Sequence, residues 1–128
     1  MLELHIKGEA TIQVTKECTA ETVGSGMLPV FATPSMIALI EKAAAESVAS
    51  LLEPGMTTVG TKLDIAHTAA TPIGMKVRAE SELSEIDGRR LVFTVRAFDE
   101  AGEIGAGTHE RFIVNAEKFL AKTNAKKQ

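Results

Sequence analysis

From Leu2 to Val14 the chain alternates in polarity: Leu2, Leu4, Ile6, Ala10, Ile12 and Val14 are apolar, and most of the intervening positions are polar. A period of two sends successive side chains to opposite faces, so this segment is predicted to be a strand with one buried face. The alternation fails over KECTAETVGSGMLPVFAT, where Gly24, Gly26 and Pro29 break any period; residues 17–32 are expected to form a loop or lid. Beyond it the spacing turns helical. Ser35, Lys42, Glu46, Ser50 and Glu53 fall within one arc at about 100° per residue, and the rest of the surface is apolar and rich in Ala. Pro34 suits the first helical position, Thr33 is placed to cap it and EPG ends it, which predicts a helix over 34–52. Four strand-like runs follow. TTVGTKLDIAHTAA stops at TPIG, MKVRAESELSEI at DGR and RLVFTVRAF at DEAG, and EIGAGTHERFIVN leads into a short helical AEKFLAK. The lysine-rich end, residues 122–128, is expected to fray.

One strand, one long helix and four consecutive strands, with no repeat or linker, make a single α+β domain over 1–128. A helix apolar around most of its circumference calls for a curved antiparallel sheet wrapped about it. One such sheet leaves apolar surface for a second copy, so a homodimer is expected, with a tetramer as the alternative. Composition narrows the partners. With 45% hydrophobic and 24% charged residues the chain reads as an ordinary soluble domain. A net charge of −3 and the lack of Trp and Tyr argue against a nucleic-acid binder. Glu41, Lys42 and Glu46 interrupt the richest apolar window and the N-terminus has no signal-like apolar run, so no membrane partner and a cytoplasmic location are expected. The lone Cys18 and the lack of CxxC or HExxH patterns predict neither an internal disulfide nor a metal cage.

Two side chains depart from their own periodicity. Glu41 lies more than a third of a turn from the solvated arc, and its helical neighbours Ile37, Ala38, Ala44 and Ala45 are apolar. A carboxylate against an apolar wall costs several kcal/mol unless something compensates. In the strand that follows, Val59, Thr61, Leu63, Ile65, His67 and Ala69 share one face, which turns His67 toward the helix. Paired, the carboxylate and the imidazole would solve each other's burial problem and make a base and its orienting partner. Either one alone reads equally well as a core or interface residue. Thr33 is open between helix cap and site residue: a regular helix sets it about 12 Å along the axis from Glu41, a gap that a bend before Pro34, His67 or a bound substrate would have to close. His109 and Arg111 share a strand face with Gly105 and Gly107, and Arg111 is open between holding a carboxylate, holding a carbonyl and a structural role. GSG at 24–26 is no hydrolase elbow, and GEIGAG has the wrong setting for dinucleotide binding.

The stretches VFAT, LIEKAA, TTVGT, AHTAATPIG, DGRRL and EIGAGTHERFIV, in that order between Val30 and Val114, resemble the hotdog-fold acyl-CoA thioesterases, and more closely the fluoroacetyl-CoA-thioesterase-like group. The resemblance implies a hotdog fold with two subunits side by side. It implies hydrolysis of a small acyl thioester of coenzyme A, with no cofactor beyond the coenzyme A of the substrate. On it, Thr33, Glu41 and His67 fall at the family's catalytic threonine, carboxylate and histidine, Gly60 at a glycine whose backbone contacts substrate, and Arg111 at a substrate-site arginine. Before Val30 the likeness weakens: the fluoroacetyl-selective enzyme closes its pocket with phenylalanines, whereas ETVGSGMLPV offers Val23, Met27 and Leu28 and no aromatic precedes Phe31. A short acyl-CoA in general is therefore the expected substrate. The competing readings are a non-catalytic acyl-CoA-binding dimer, a hotdog enoyl-CoA hydratase or dehydratase, whose usual helix histidine is missing here, and a ligand-free dimer with Glu41 and His67 as a buried pair.

Overall fold

The computed structural model describes residues 1–127. Strand β1 (Lys7–Gln13) is followed by a 3-10 turn (Lys16–Cys18), a short helix α1 (Ala20–Val23) and the long helix α2 (Thr33–Ala49). Strands β2 (Met56–His67), β3 (Lys76–Asp87), β4 (Arg90–Phe98) and β5 (Glu103–Asn115) come next, and helix α3 (Ala116–Asn124) with a final 3-10 turn (Ala125–Lys127) closes the chain. All the ladders are antiparallel, in the order β1-β3-β4-β5-β2. This is the α+β hotdog arrangement, a curled five-stranded sheet around α2. Among the described residues no helix is long and apolar enough to cross a membrane.

The core lies where the helix meets the sheet. Met36, Leu39, Ile40, Ala43, Ala44 and Val48 of α2 are buried against Val77, Ala79, Leu83, Leu91, Phe93, Val95 and Ala97. Small residues on the helix let the sheet close in. At Gly8 of β1 a Cβ would overlap the Ala43 carbonyl oxygen and press on Ser47, so glycine sets the approach of helix to strand. The lid is short on regular structure, yet pinned: Ala32 N–H bonds the Cys18 carbonyl at 2.9 Å and Phe31 N–H the Thr71 carbonyl at 2.9 Å.

Five expectations need correction. The first strand starts at Lys7 rather than Leu2, because His5 sits at φ 74°, a left-handed conformation that breaks the extended run; Leu2 and Ile6 still pack on the core. Helix α2 ends at Ala49, three residues before the expected stop. Its cap is Ala32, with no side-chain bond, and Pro34 falls in the first turn behind Thr33, whose hydroxyl is engaged elsewhere. In β2 the ladder shifts between Gly60 and Lys62, a bulge that changes which residues face inward. Thr58 is buried, not exposed with Lys62 as the plain alternation would have it, and the face of His67 regains the core side only beyond the bulge. Of the tail expected to fray, residues 122–127 continue α3 into the 3-10 turn, and Gln128 lies outside the described residues.

Candidate active site

The residues singled out in the sequence form two groups, both between α2 and the β2 edge of the sheet. In the first, Thr33 Oγ1 and His67 Nδ1 are 2.7 Å apart. Thr33 opens α2 and His67 ends β2, so a helix start and a strand end hold the pair. Burial pushes the His67 imidazole below the usual histidine range, partly offset by the Ala69 backbone. A neutral ring accepts at one nitrogen and donates at the other. With the Thr33 hydroxyl donating to Nδ1, the hydrogen sits on Nε2, which is closed to solvent and has no hydrogen-bond partner among the described residues. A cleft of about 290 Å³ opens here, lined by Ala20, Ser25, Val30 and Phe31 of the lid and by Thr33 and His67.

The second group lies two turns along α2. Glu41 Oε2 accepts from Arg111 Nη1 at 3.3 Å, and Arg111 is only 7% exposed. Thr58 takes two more of the guanidinium's donors: Arg111 Nε donates to Thr58 Oγ1 at 2.8 Å and Nη2 to the Thr58 carbonyl at 3.0 Å. Nη1 also faces His109 Nε2 at 3.2 Å, and His109 Nδ1 donates to the Lys62 carbonyl at 2.8 Å. Burial pushes His109 below its usual range, with the Arg111 charge acting the same way against the opposing Lys62 carbonyl. Burial likewise lowers Arg111, opposed by Glu41, and the guanidinium stays a cation. Gly60 completes the group. A Cβ there would overlap Glu41 Oε2 and come within 3.3 Å of Arg111 Nη1 and 3.4 Å of His109 Cε1, so only glycine lets the carboxylate lie against the strand.

Glu41 and His67, expected to pair, do not meet within one chain. The helix rise separates positions 33 and 41 by about 12 Å, and the strand rise separates positions 60 and 67 by roughly 20 Å. Glu41 sits at Gly60 and His67 at Thr33. Periodicity told which way each side chain turns, not how far along its element it sits. Of the roles open for Arg111, two are formed within the chain: it holds the Glu41 carboxylate and the Thr58 carbonyl. Thr58 and His109 were not recognised as members of this group. The bulge hid Thr58; for His109 a signal existed, since residues two apart on a strand share a face and Arg111 was already a candidate. Among the described residues no group of three His, Cys, Asp or Glu side chains is placed to hold a metal ion. A larger depression of about 500 Å³ lies on the outer face of β1, β3 and β4, away from these residues, lined by Lys7, Glu9, Glu80, Glu82, Thr94 and Arg96. Glu9, Glu80 and Arg96 there are solvated and ion-paired, which is the ordinary state of an outer sheet face.

Residues 14–117 match the family model described as fluoroacetyl-CoA-specific thioesterase. The fluoroacetyl-CoA thioesterase of Streptantibioticus cattleyicolor is 47% identical over 97 residues, which are 76% of this chain and 70% of that protein. A crystal structure of fluoroacetyl-CoA thioesterase superposes with a TM-score of 0.93 at 36% identity, covering 98% of each chain. A Thermus thermophilus protein described as a thioesterase superfamily member gives a TM-score of 0.90 at 28% identity, over 99% of this chain and 94% of that one. With the fold, the matched residues and these relatives in agreement, the chain belongs to the fluoroacetyl-CoA-specific thioesterase family of hotdog thioester hydrolases.

Proposed function

We propose that this protein hydrolyses a short-chain acyl-CoA thioester to the free acid and coenzyme A, at a site made jointly by two copies of the chain. The observation that carries the reading is the division of the candidate residues into two groups at opposite ends of an edge strand. An edge strand leaves one row of backbone N–H and C=O groups unpaired, and β2 is exposed from Gly60 to Asp64. A second copy pairing antiparallel along β2, about a two-fold axis between Leu63 and Asp64, sets His67 of one subunit opposite Gly60 of the other. Opposite residues in such a pair share a face, and Gly60 and His67 both face inward. Glu41 of the partner subunit, lying against its own Gly60, then comes beside the Thr33–His67 pair.

In that site Glu41 takes a proton from water, whose oxygen attacks the thioester carbonyl carbon. A backbone N–H, from Gly60 or from the start of α2, holds the oxyanion. The carbon–sulfur bond breaks, and the proton taken by Glu41 returns to the thiolate sulfur, directly or by way of His67. The Thr33 hydroxyl fixes the His67 tautomer, and Arg111 fixes the Glu41 carboxylate. A second route is favoured by the 2.7 Å Thr33–His67 bond, which has the form of a nucleophile and its base. Thr33 Oγ attacks the carbonyl, His67 carries its proton to the departing thiolate, and water activated by Glu41 then cleaves the acyl-threonine, its proton passing to the departing Thr33 oxygen. Crystals of fluoroacetyl-CoA thioesterase variants with acetyl-CoA or with fluoroacetate and CoA are those of relatives, and they support a short acyl-CoA here. The lid carries Val23, Met27 and Leu28, all exposed, which favours acceptance of several short acyl groups over selection of the fluorinated one.

Thiol release over a panel of short acyl-CoA esters tests the reading. Turnover of acetyl- and propionyl-CoA at comparable kcat/KM is expected. Tight binding with no thiol released would identify a non-catalytic binder, and consumption of an enoyl-CoA without thiol release would identify a hydratase. Mass spectrometry of the rapidly quenched enzyme separates the two routes, since only the second leaves an acyl group on Thr33.

A further inference from the structure

We propose that His109 is a positioning residue of this site: its neutral ring, anchored on a carbonyl at the β2 bulge, orients the Arg111 guanidinium so that Nη1 is aimed at Glu41. The inference rests on the reading of Glu41 as the base given above. The geometry is determinate. A carbonyl can only accept, so the 2.8 Å contact with the Lys62 oxygen requires the ring hydrogen on Nδ1. Nε2 is then a bare lone pair, the form that can accept from Arg111 Nη1 at 3.2 Å. A charged ring would set N–H against N–H. Nη1 has two hydrogens, and Glu41 and His109 take one each. Together with the two bonds to Thr58, four of the five guanidinium donors are assigned, and the head group cannot rotate without losing several of them.

The ring is itself held. His109 is fully buried, and Phe93 lies 6.2 Å from it between ring centroids at an interplanar angle of 30°. Burial and the neighbouring cation also keep it from protonating. The Lys62 carbonyl belongs to the bulge that turns Gly60 toward Glu41. One histidine thus ties the strand that receives the carboxylate to the cation that holds it, without touching substrate.

The test uses His109→Leu, which deletes both bonds, and His109→Gln, whose amide can donate to Lys62 and accept from Arg111. With the short acyl-CoA that the wild type turns over, His109→Leu is expected to lower kcat about 100-fold, the cost of misplacing a reacting group by an ångström or so, with KM changed far less. His109→Gln restores most of the rate. In a Glu41→Gln background His109→Leu causes no further loss, because its effect passes through that carboxylate. An equal loss in both backgrounds, or wild-type kcat in His109→Leu, overturns the proposal. Should His109→Leu not fold, ring ¹⁵N shifts of the wild type decide: an Nδ1–H tautomer that does not titrate between pH 5 and 8 is expected, and the other tautomer or a protonating ring overturns it. Near-normal turnover by Glu41→Gln alone would instead remove the reading of Glu41, with the tautomer measurement still deciding the His109 geometry.

Discussion

His67 offers the sharpest test at the scale of single residues. Within its own chain, burial lowers its affinity for a proton, so the ring gives up its proton at a lower pH than a free histidine does. A carboxylate brought up by a partner subunit acts the other way, favouring the charged form. Replacing Glu41 by Gln removes that carboxylate, so His67 should titrate at a lower pH in Glu41→Gln than in the wild type. An NMR titration with the same midpoint in both proteins would contradict a shared site. The same substitution should leave the fold and melting temperature near normal and cost most of the hydrolysis. Sequence alone exposed both residues, because each violates the polarity of its own face. It assigned them to each other because a period gives direction around a helix or across a strand and nothing about position along it. The true partners, Arg111 for Glu41 and Thr33 for His67, depend on where α2 crosses the sheet, which no local pattern encodes.

At the scale of elements, the edge strand decides the site's geometry. Its bulge between Gly60 and Lys62 lets Thr58 and Gly60 face inward above it and His67 below it. Gly60→Ala therefore should move the Glu41 carboxylate by the width of a methyl group and lower kcat about 100-fold, with little loss of stability because the displaced atom is the end of a flexible side chain. Unchanged kinetics would show that Glu41 need not lie on the strand. The lid is held from outside its own sequence. The buried Thr71 hydroxyl donates to Asp99 Oδ2 at 2.7 Å, while Thr71 O accepts from Phe31 N–H. Burial alone would raise Asp99, but the hydrogen bonds from Thr71 and from the Ala101 and Gly102 amides outweigh it and hold the carboxyl below its usual range. A lowered folded pKa means the stabilisation is present above the unfolded carboxylate pKa and is lost as pH falls through the folded value. Asp99→Asn should thus melt several degrees lower at neutral pH, with the gap closing in acid; a gap that does not change with pH would contradict this account. Strand identity was plain in the sequence, since β3, β4 and β5 are bounded by DGR and DEAG turns and β3 and β4 alternate over most of their length. The bulge was not, because Gly60 alone marks it and a glycine in a strand has several causes.

At the scale of the whole molecule, the proposed second copy would answer two features together, the unpaired edge of β2 and the separation of the two candidate groups. The apolar helix and the single sheet were legible from the order of elements, and the resemblance carried the hotdog fold. A second copy was expected from exposed apolar area alone, whereas the proposed shared site rests on something more specific, the division of the candidate residues into two groups along β2. The direct measurement is subunit complementation. Glu41→Gln and His67→Ala, each close to inactive as homodimers, are mixed, dissociated and reassociated, with heterodimers counted by native mass spectrometry. In a heterodimer one site combines Thr33 and His67 of the first variant with Glu41 of the second and is intact, while the other site carries both lesions. Random pairing makes half the dimers mixed, so about a quarter of wild-type turnover should return. Heterodimers that form in that proportion and remain as inactive as their parents would contradict the account.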